Sequence, residues 1–177
     1  MTSQAPADLA ARCQSIELLV ADVDGVMTDG AVVLDDRGVE TKHFHVRDGL
    51  AFGLWHRAGK QAAILSGRMA AAVERRASEL RIAHVLQGHD EKIAPFRSLI
   101  DRLGLAERQV CFVGDDLPDL PVLLSVGLAA CPADAVAEVR SAAHLITGTP
   151  GGRGVIREVV ELILKSQGRW NDLISGA

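Results

Sequence analysis

The chain has 177 residues, 48% hydrophobic and 24% charged, a composition that suits one globular domain and argues against disorder. Nineteen basic against twenty-three acidic residues leave a net charge of −4, and four Phe, two Trp and no Tyr offer little for base stacking, so a nucleic-acid partner is not expected. No apolar run approaches the ~20 residues that cross a bilayer. The first thirteen residues carry Asp8 and Arg12 and lack an apolar stretch, so neither a membrane span nor a signal peptide is expected.

In chain order, residues 16–22 (IELLVAD) read as a buried strand. Residues 31–35 and 39–46 then flank Asp36-Arg37-Gly38, which predicts a β-hairpin just after that strand. Helical patterns follow at 49–57, 69–80, 92–103, 117–125, 135–142 and 155–165. Between them lie short apolar runs at 61–65, 82–86, 110–113, 128–130 and 145–147. Apolar strands of this kind are buried on both faces, and strand–helix alternation implies a parallel sheet. The expected fold class is α/β, a doubly wound, Rossmann-like sheet with an inserted hairpin. The expected core covers 16–166, with 167–177 as a flexible tail. Cys13, Cys111 and Cys131 are odd in number and show no CxxC spacing, so a disulfide framework or structural zinc is not expected, and a reducing, cytoplasmic compartment fits.

Ligands of doubly wound sheets bind beyond the carboxyl ends of the strands. The first strand ends in Asp22-Val23-Asp24-Gly25. Its two acids stand two apart and so share a face. The next strand ends in Ser66-Gly67-Arg68. The third is followed by Lys92, and the fourth by Gly114-Asp115-Asp116 with Asp119 beyond. Taken singly, Asp24-Gly25 reads as a turn, Ser66 as a helix cap and Lys92 as a surface lysine. Together they bring up to five carboxylates to one sheet edge. Charges that close repel unless a cation sits among them, and Mg²⁺ is the usual hard cation beside phosphate. Ser66 with the Gly67 backbone, and Lys92, could then hold an anionic oxygen.

In that order, DVDGVMTDG, SGR, the lone Lys92 and GDDLPD resemble the four motifs of the haloacid dehalogenase superfamily. VRDG at Val46–Gly49 and GGRG at Gly151–Gly154 sharpen the resemblance to its capless sugar-acid phosphatases acting on 3-deoxy-D-manno-octulosonate 8-phosphate. The resemblance implies a Mg²⁺-dependent phosphomonoesterase that supplies a lipopolysaccharide precursor. It implies Asp22 as nucleophile, Asp24 as general acid and base, and Ser66 and Lys92 as phosphate-holding groups. Mg²⁺ would be held by Asp22, Asp115 and the backbone carbonyl of Asp24, with Asp116 and Asp119 orienting their neighbours. Substrate contacts are expected from Asp24, His45, Val46, Arg47, Asp48, Gly49, Gly67, Arg68, Arg76, Lys92 and Arg153. Arg is favoured for a carboxylate because its planar fork binds bidentately.

His43 and His45 form HxH on a strand, but no further ligand has matching spacing, which disfavours zinc. Residues 148–154 (GTPGGRG) read as a flexible loop able to act as a lid. The 44 residues from Asp22 to Ser66 and the 26 from Ser66 to Lys92 leave no room for a cap domain. Neighbouring subunits are therefore expected to shield the site, with hairpins pairing in a homotetramer and the tail docking on an adjacent copy. A nine-carbon sialic-type substrate, a phospho-accepting receiver module, an inactive assembly protein and a phosphotransferase remain alternatives. The receiver order differs, because its lysine comes last.

Overall fold

The computed structural model describes residues 6–175, with side chains from Asp8 onward. Helix α1 (Pro6–Gln14) leads into strand β1 (Leu18–Ala21). Every residue of β1 is buried, and alternation sends its side chains to opposite sides. Leu19 and Ala21 enter one apolar cluster, and Leu18 and Val20 enter another. Strands β4 (Gln61–Leu65) and β6 (Val110–Val113) divide their residues in the same way. A strand buried on both faces belongs in the middle of a covered parallel sheet.

The remaining strands of that sheet are β5 (His84–Leu86), β7 (Leu128–Cys131) and β8 (Leu145–Ile146). The order is β5-β4-β1-β6-β7-β8, and all pairs are parallel. The chain therefore travels outward from β1 on one side, then returns to build the other. That reversal places the switch point at the carboxyl end of β1. One face is covered by α1, α2 (Val46–Arg57), α3 (Ala71–Glu79), α7 (Val155–Ser166) and α8 (Trp170–Ile174). The other is covered by α4 (Ile93–Leu103), α5 (Leu120–Leu123) and α6 (Ala137–Ala142). The predicted class and the absence of a cap domain at either insertion point hold. Among the described residues, no helix is long and apolar enough to cross a membrane.

Several boundaries differ from the sequence reading. The hairpin is smaller: only β2 (Val33–Leu34) and β3 (Glu40–Thr41) pair, antiparallel and apart from the main sheet. The chain does not remain extended to Val46, because the His45 Nδ1 atom accepts from Arg47 N at 3.3 Å and caps α2 there. The helix expected over 117–125 divides into a 3₁₀ turn (Leu117–Asp119) and the short α5. Pro118 and Pro121 each remove an N–H donor, and Asp119 turns back on the preceding backbone. Helix α1 was not anticipated, nor was α8 within the expected tail. Trp170 and Leu173 of α8 are buried, and Arg157 and Lys165 lie 5.0 and 5.7 Å from the Trp170 ring centre.

Candidate active site

The carboxyl ends of β1, β5 and β6 are followed by the acidic and basic groups, which meet at one edge of the sheet. Asp22 follows β1 directly, and its N–H donates to Val113 O at 2.9 Å, which ties the two acid-bearing strand ends together. Lys92 immediately precedes α4 and is 4% exposed. Its Nζ reaches Asp22 Oδ1 at 2.9 Å and Asp119 Oδ1 at 2.7 Å. The second oxygen of Asp119 accepts from the N–H groups of Asp115 and Asp116 at 2.9 and 3.3 Å. Asp119 is thus spent on positioning Lys92 and the Asp115 loop. Asp22, Asp115 and Asp119 each offer an oxygen within 4.8 Å of the others.

Three carboxylates against one ammonium leave an unbalanced negative charge. Burial pushes Asp22 up to about 7, Asp119 adds to the rise, and Lys92 opposes it. Asp115 rises to about 8 through burial, then through the charges of Asp22, Asp119 and Asp116. Burial alone would lower the Lys92 ammonium, but Asp22 and Asp119 outweigh it and hold its pKa above the ordinary value. Asp115 Oδ1 is buried without a protein partner. Among the described residues, no donor reaches the Asp24 carbonyl oxygen. This cluster of hard oxygen atoms fits a divalent cation beside Asp22 and Asp115, Asp119 being engaged by Lys92.

Gly25 makes that approach possible. It has φ +85°, and a Cβ there would lie 2.1 Å from Asp115 Oδ2. The GGRG loop closes over the same segment, backbone on backbone. A Cβ at Gly151 would lie 2.1 Å from Gly25 O, and Gly152 N donates to Val26 O at 3.0 Å. The loop expected as a lid is therefore packed onto the loop that carries Asp24.

Ser66 ends β4 beside β1 and is 2% exposed. Gly67 follows it, and Arg68 is half-exposed with its guanidinium 2.9 Å from Glu40 Oε1. Glu40 also accepts from Lys42 Nζ at 3.0 Å, and Lys42 Nζ pairs with Asp24 Oδ1 as well. Asp24 Oδ2 is buried and unpartnered. The sequence reading passed over Glu40 and Lys42. The available signal was their spacing of two on a strand, which puts both on one face.

The other expected substrate contacts are not all brought together. His45 serves as the cap of α2, and Val46 and Arg47 are exposed. Asp48 is buried and accepts from Arg157 N at 2.8 Å, which caps the N-terminus of α7. The accepting oxygen, Oδ1, has a structural task, while Asp48 Oδ2 is buried without a protein partner. Gly49 leaves room for Arg76, whose Nη2 would lie 2.7 Å from a Cβ there. Arg76 pairs with Glu79 at 2.7 Å and sits 5.9 Å from the Phe44 ring centre, in a cleft that Glu40 also lines. Arg47 and Arg153 line a separate cleft along α7 with Arg157 and Lys165.

Known proteins resemble this chain in sequence and fold. The sequence pattern of the haloacid dehalogenase-like hydrolases matches residues 60–159. The 3-deoxy-D-manno-octulosonate 8-phosphate phosphatase KdsC of Escherichia coli K12 is 40% identical over 166 residues, covering 94% of this chain and 88% of that protein. A probable YrbI-family phosphatase from Pseudomonas syringae superposes with a TM-score of 0.94 at 44% identity, over 96% of this chain and 97% of the other. The Moraxella catarrhalis 3-deoxy-D-manno-octulosonate 8-phosphate phosphatase, in complex with magnesium, phosphate and KDO, superposes with a TM-score of 0.95 at 36% identity, over 97% and 99%. With that family pattern over more than half of its length and a relative 40% identical across nearly all of it, the chain belongs to the haloacid dehalogenase-like hydrolase family.

Proposed function

We propose that the protein hydrolyses 3-deoxy-D-manno-octulosonate 8-phosphate to the free sugar acid and phosphate, with Mg²⁺ as cofactor. The observation that carries this is the buried Asp22–Lys92–Asp119 ion cluster with the unpartnered Asp115 Oδ1 beside it. The similarity to KdsC over 94% of the chain supports the substrate. Asp22, Asp115 and the Asp24 carbonyl would hold the ion. Bound there, Mg²⁺ offsets the repulsion between Asp22 and the phosphate.

The chain's own groups do the rest. An Asp22 oxygen bonds to phosphorus as the phosphorus–sugar oxygen bond breaks, leaving an aspartyl-phosphate. Asp24 gives a proton to the departing sugar oxygen, then takes one from the attacking water. That attack releases phosphate and restores Asp22. Lys92 and Ser66 hold the non-bridging oxygens. Arg68, with its planar fork, takes the sugar carboxylate. The three buried, unpaired cysteines fit a reducing, cytoplasmic compartment, and the product would enter lipopolysaccharide precursor synthesis.

Self-association completes the reading. Val32, Val33, Leu34 and Val39 on the isolated hairpin are 44–60% exposed, an apolar surface suited to hairpins meeting in a homotetramer. The test of function is phosphate release from eight- and nine-carbon sugar-acid phosphates, with Mg²⁺ or chelator. Release from the eight-carbon substrate should dominate, need Mg²⁺ and vanish in Asp22→Asn. Turnover by that variant, or release unaffected by chelator, refutes the mechanism.

A further inference from the structure

Lys42 is the least expected residue near the reaction. It stands on the hairpin, eighteen residues from Asp24, yet its side chain is 1% exposed. A buried ammonium is costly unless it is paired. Here it is paired twice, to Asp24 Oδ1 and to Glu40 Oε1. Glu40 in turn holds Arg68. Four groups of alternating sign therefore run from the hairpin edge to Asp24.

An ammonium can only donate hydrogen bonds. An oxygen that accepts from Lys42 is poorly placed to carry the proton of a carboxylic acid. The second oxygen of Asp24, Oδ2, is buried and has no protein partner. The two oxygens are thus made unequal, with one anchored and the other left for chemistry.

We propose that Lys42 is a positioning residue of the hydrolysis: it anchors Asp24 Oδ1 so that Oδ2 alone serves the leaving oxygen. The proposal rests on Asp24 acting as the acid of the first step. Removing the anchor lets the carboxyl group turn, and the delivered proton is misplaced. Glu40 keeps the ammonium in place and links it to Arg68. Substrate reading and acid placement thereby share one chain of contacts.

A general acid matters in proportion to how badly the leaving group needs a proton. The test is kcat/KM with Mg²⁺ across aryl phosphates from p-nitrophenyl to phenyl, plus 3-deoxy-D-manno-octulosonate 8-phosphate. This ratio covers steps up to departure of the leaving group. Lys42→Met should lose about 100-fold on phenyl and sugar-acid phosphates, but less than about 3-fold on p-nitrophenyl phosphate. Lys42→Arg keeps the charge with a different reach and should steepen the leaving-group dependence by less. It also supplies the measurement if Lys42→Met does not fold. Equal losses across the series, or a wild-type slope in either folded variant, overturn the proposal. Asp24→Asn separates the two levels. If it leaves the slope unchanged, the reading of Asp24 as acid fails. If it steepens the slope and the Lys42 variants do not, only the role of Lys42 fails.

Discussion

Gly25→Ala tests whether the acid-loop geometry, rather than the acids alone, makes the site. Gly25 has φ +85°, so any side chain costs about 1–2 kcal/mol of backbone strain. The added Cβ would lie 2.1 Å from Asp115 Oδ2, where ordinary contact begins at 3.4 Å. Asp115 must therefore withdraw by about 1.3 Å, the difference between those distances. A displacement of ~1 Å at a reacting centre costs on the order of 100-fold in rate. Gly38→Ala isolates the backbone component, since Gly38 has φ +77° and nothing within 4 Å of its Cβ position. Thermal melts, Mg²⁺ calorimetry and turnover are compared for both variants. Both should lose about 1–2 kcal/mol of stability. Only Gly25→Ala should lose about 10–100-fold in Mg²⁺ affinity and about 100-fold in kcat/KM. Wild-type Mg²⁺ binding and turnover in Gly25→Ala would refute the placement of Asp115 as a metal ligand.

Asp48 offers a pH test. Burial raises it to about 6 from an ordinary 3.8, so the native state binds its proton more tightly than the unfolded chain, and stability falls as pH rises from about 4 to 6. This group alone contributes a fall of about 3 kcal/mol. Asp48→Asn keeps the acceptor for Arg157 N and should abolish that fall in denaturant melts, whereas parallel wild-type and variant profiles would contradict it. Leu34→Glu on the exposed hairpin should shift the assembly to smaller species in light scattering, and an unchanged mass would remove the hairpin from the interface.

The sheet was legible because its strands are apolar on both faces, a pattern with few alternatives. Residues 16–22 and 110–113 needed only their runs of Leu, Val and Phe. The polar groups Asp22, Ser66, Lys92 and Asp115 could be placed beyond strand ends by counting, because strand ends are where such sheets keep their chemistry. The capping role of Asp48 was missed for a physical reason. A carboxylate in VRDG serves equally as a ligand group or as a cap for another helix, and that helix lies more than a hundred residues away. Lys42 was missed for the same reason, since its partner on the β1 loop is nonlocal. The early start of α2 turned on a His45 ring nitrogen acting as cap, a role that periodicity does not register.

The charges of the site separate into two arms, and the separation explains where a cation belongs. On the hairpin side, Asp24, Lys42, Glu40 and Arg68 alternate in sign and balance. On the nucleophile side, Asp22, Asp115 and Asp119 face Lys92 alone, which leaves two negative charges. Protons could settle there instead, on Asp115 or on Asp22, both raised by burial, and a protonated Asp22 cannot attack phosphorus. A divalent ion supplies the same two charges and keeps the nucleophile ionised. An approaching phosphate then meets a balanced nucleophile arm. Its own charge is left to Lys92, the Ser66 hydroxyl and the ion. In the proposed reading, Arg68 exchanges Glu40 for the sugar carboxylate. Asp24 and Asp22 stand two residues apart, yet they are held by different partners from different elements, Lys42 of the hairpin and Lys92 before α4. That division lets one short loop hold two carboxyl groups in separate surroundings.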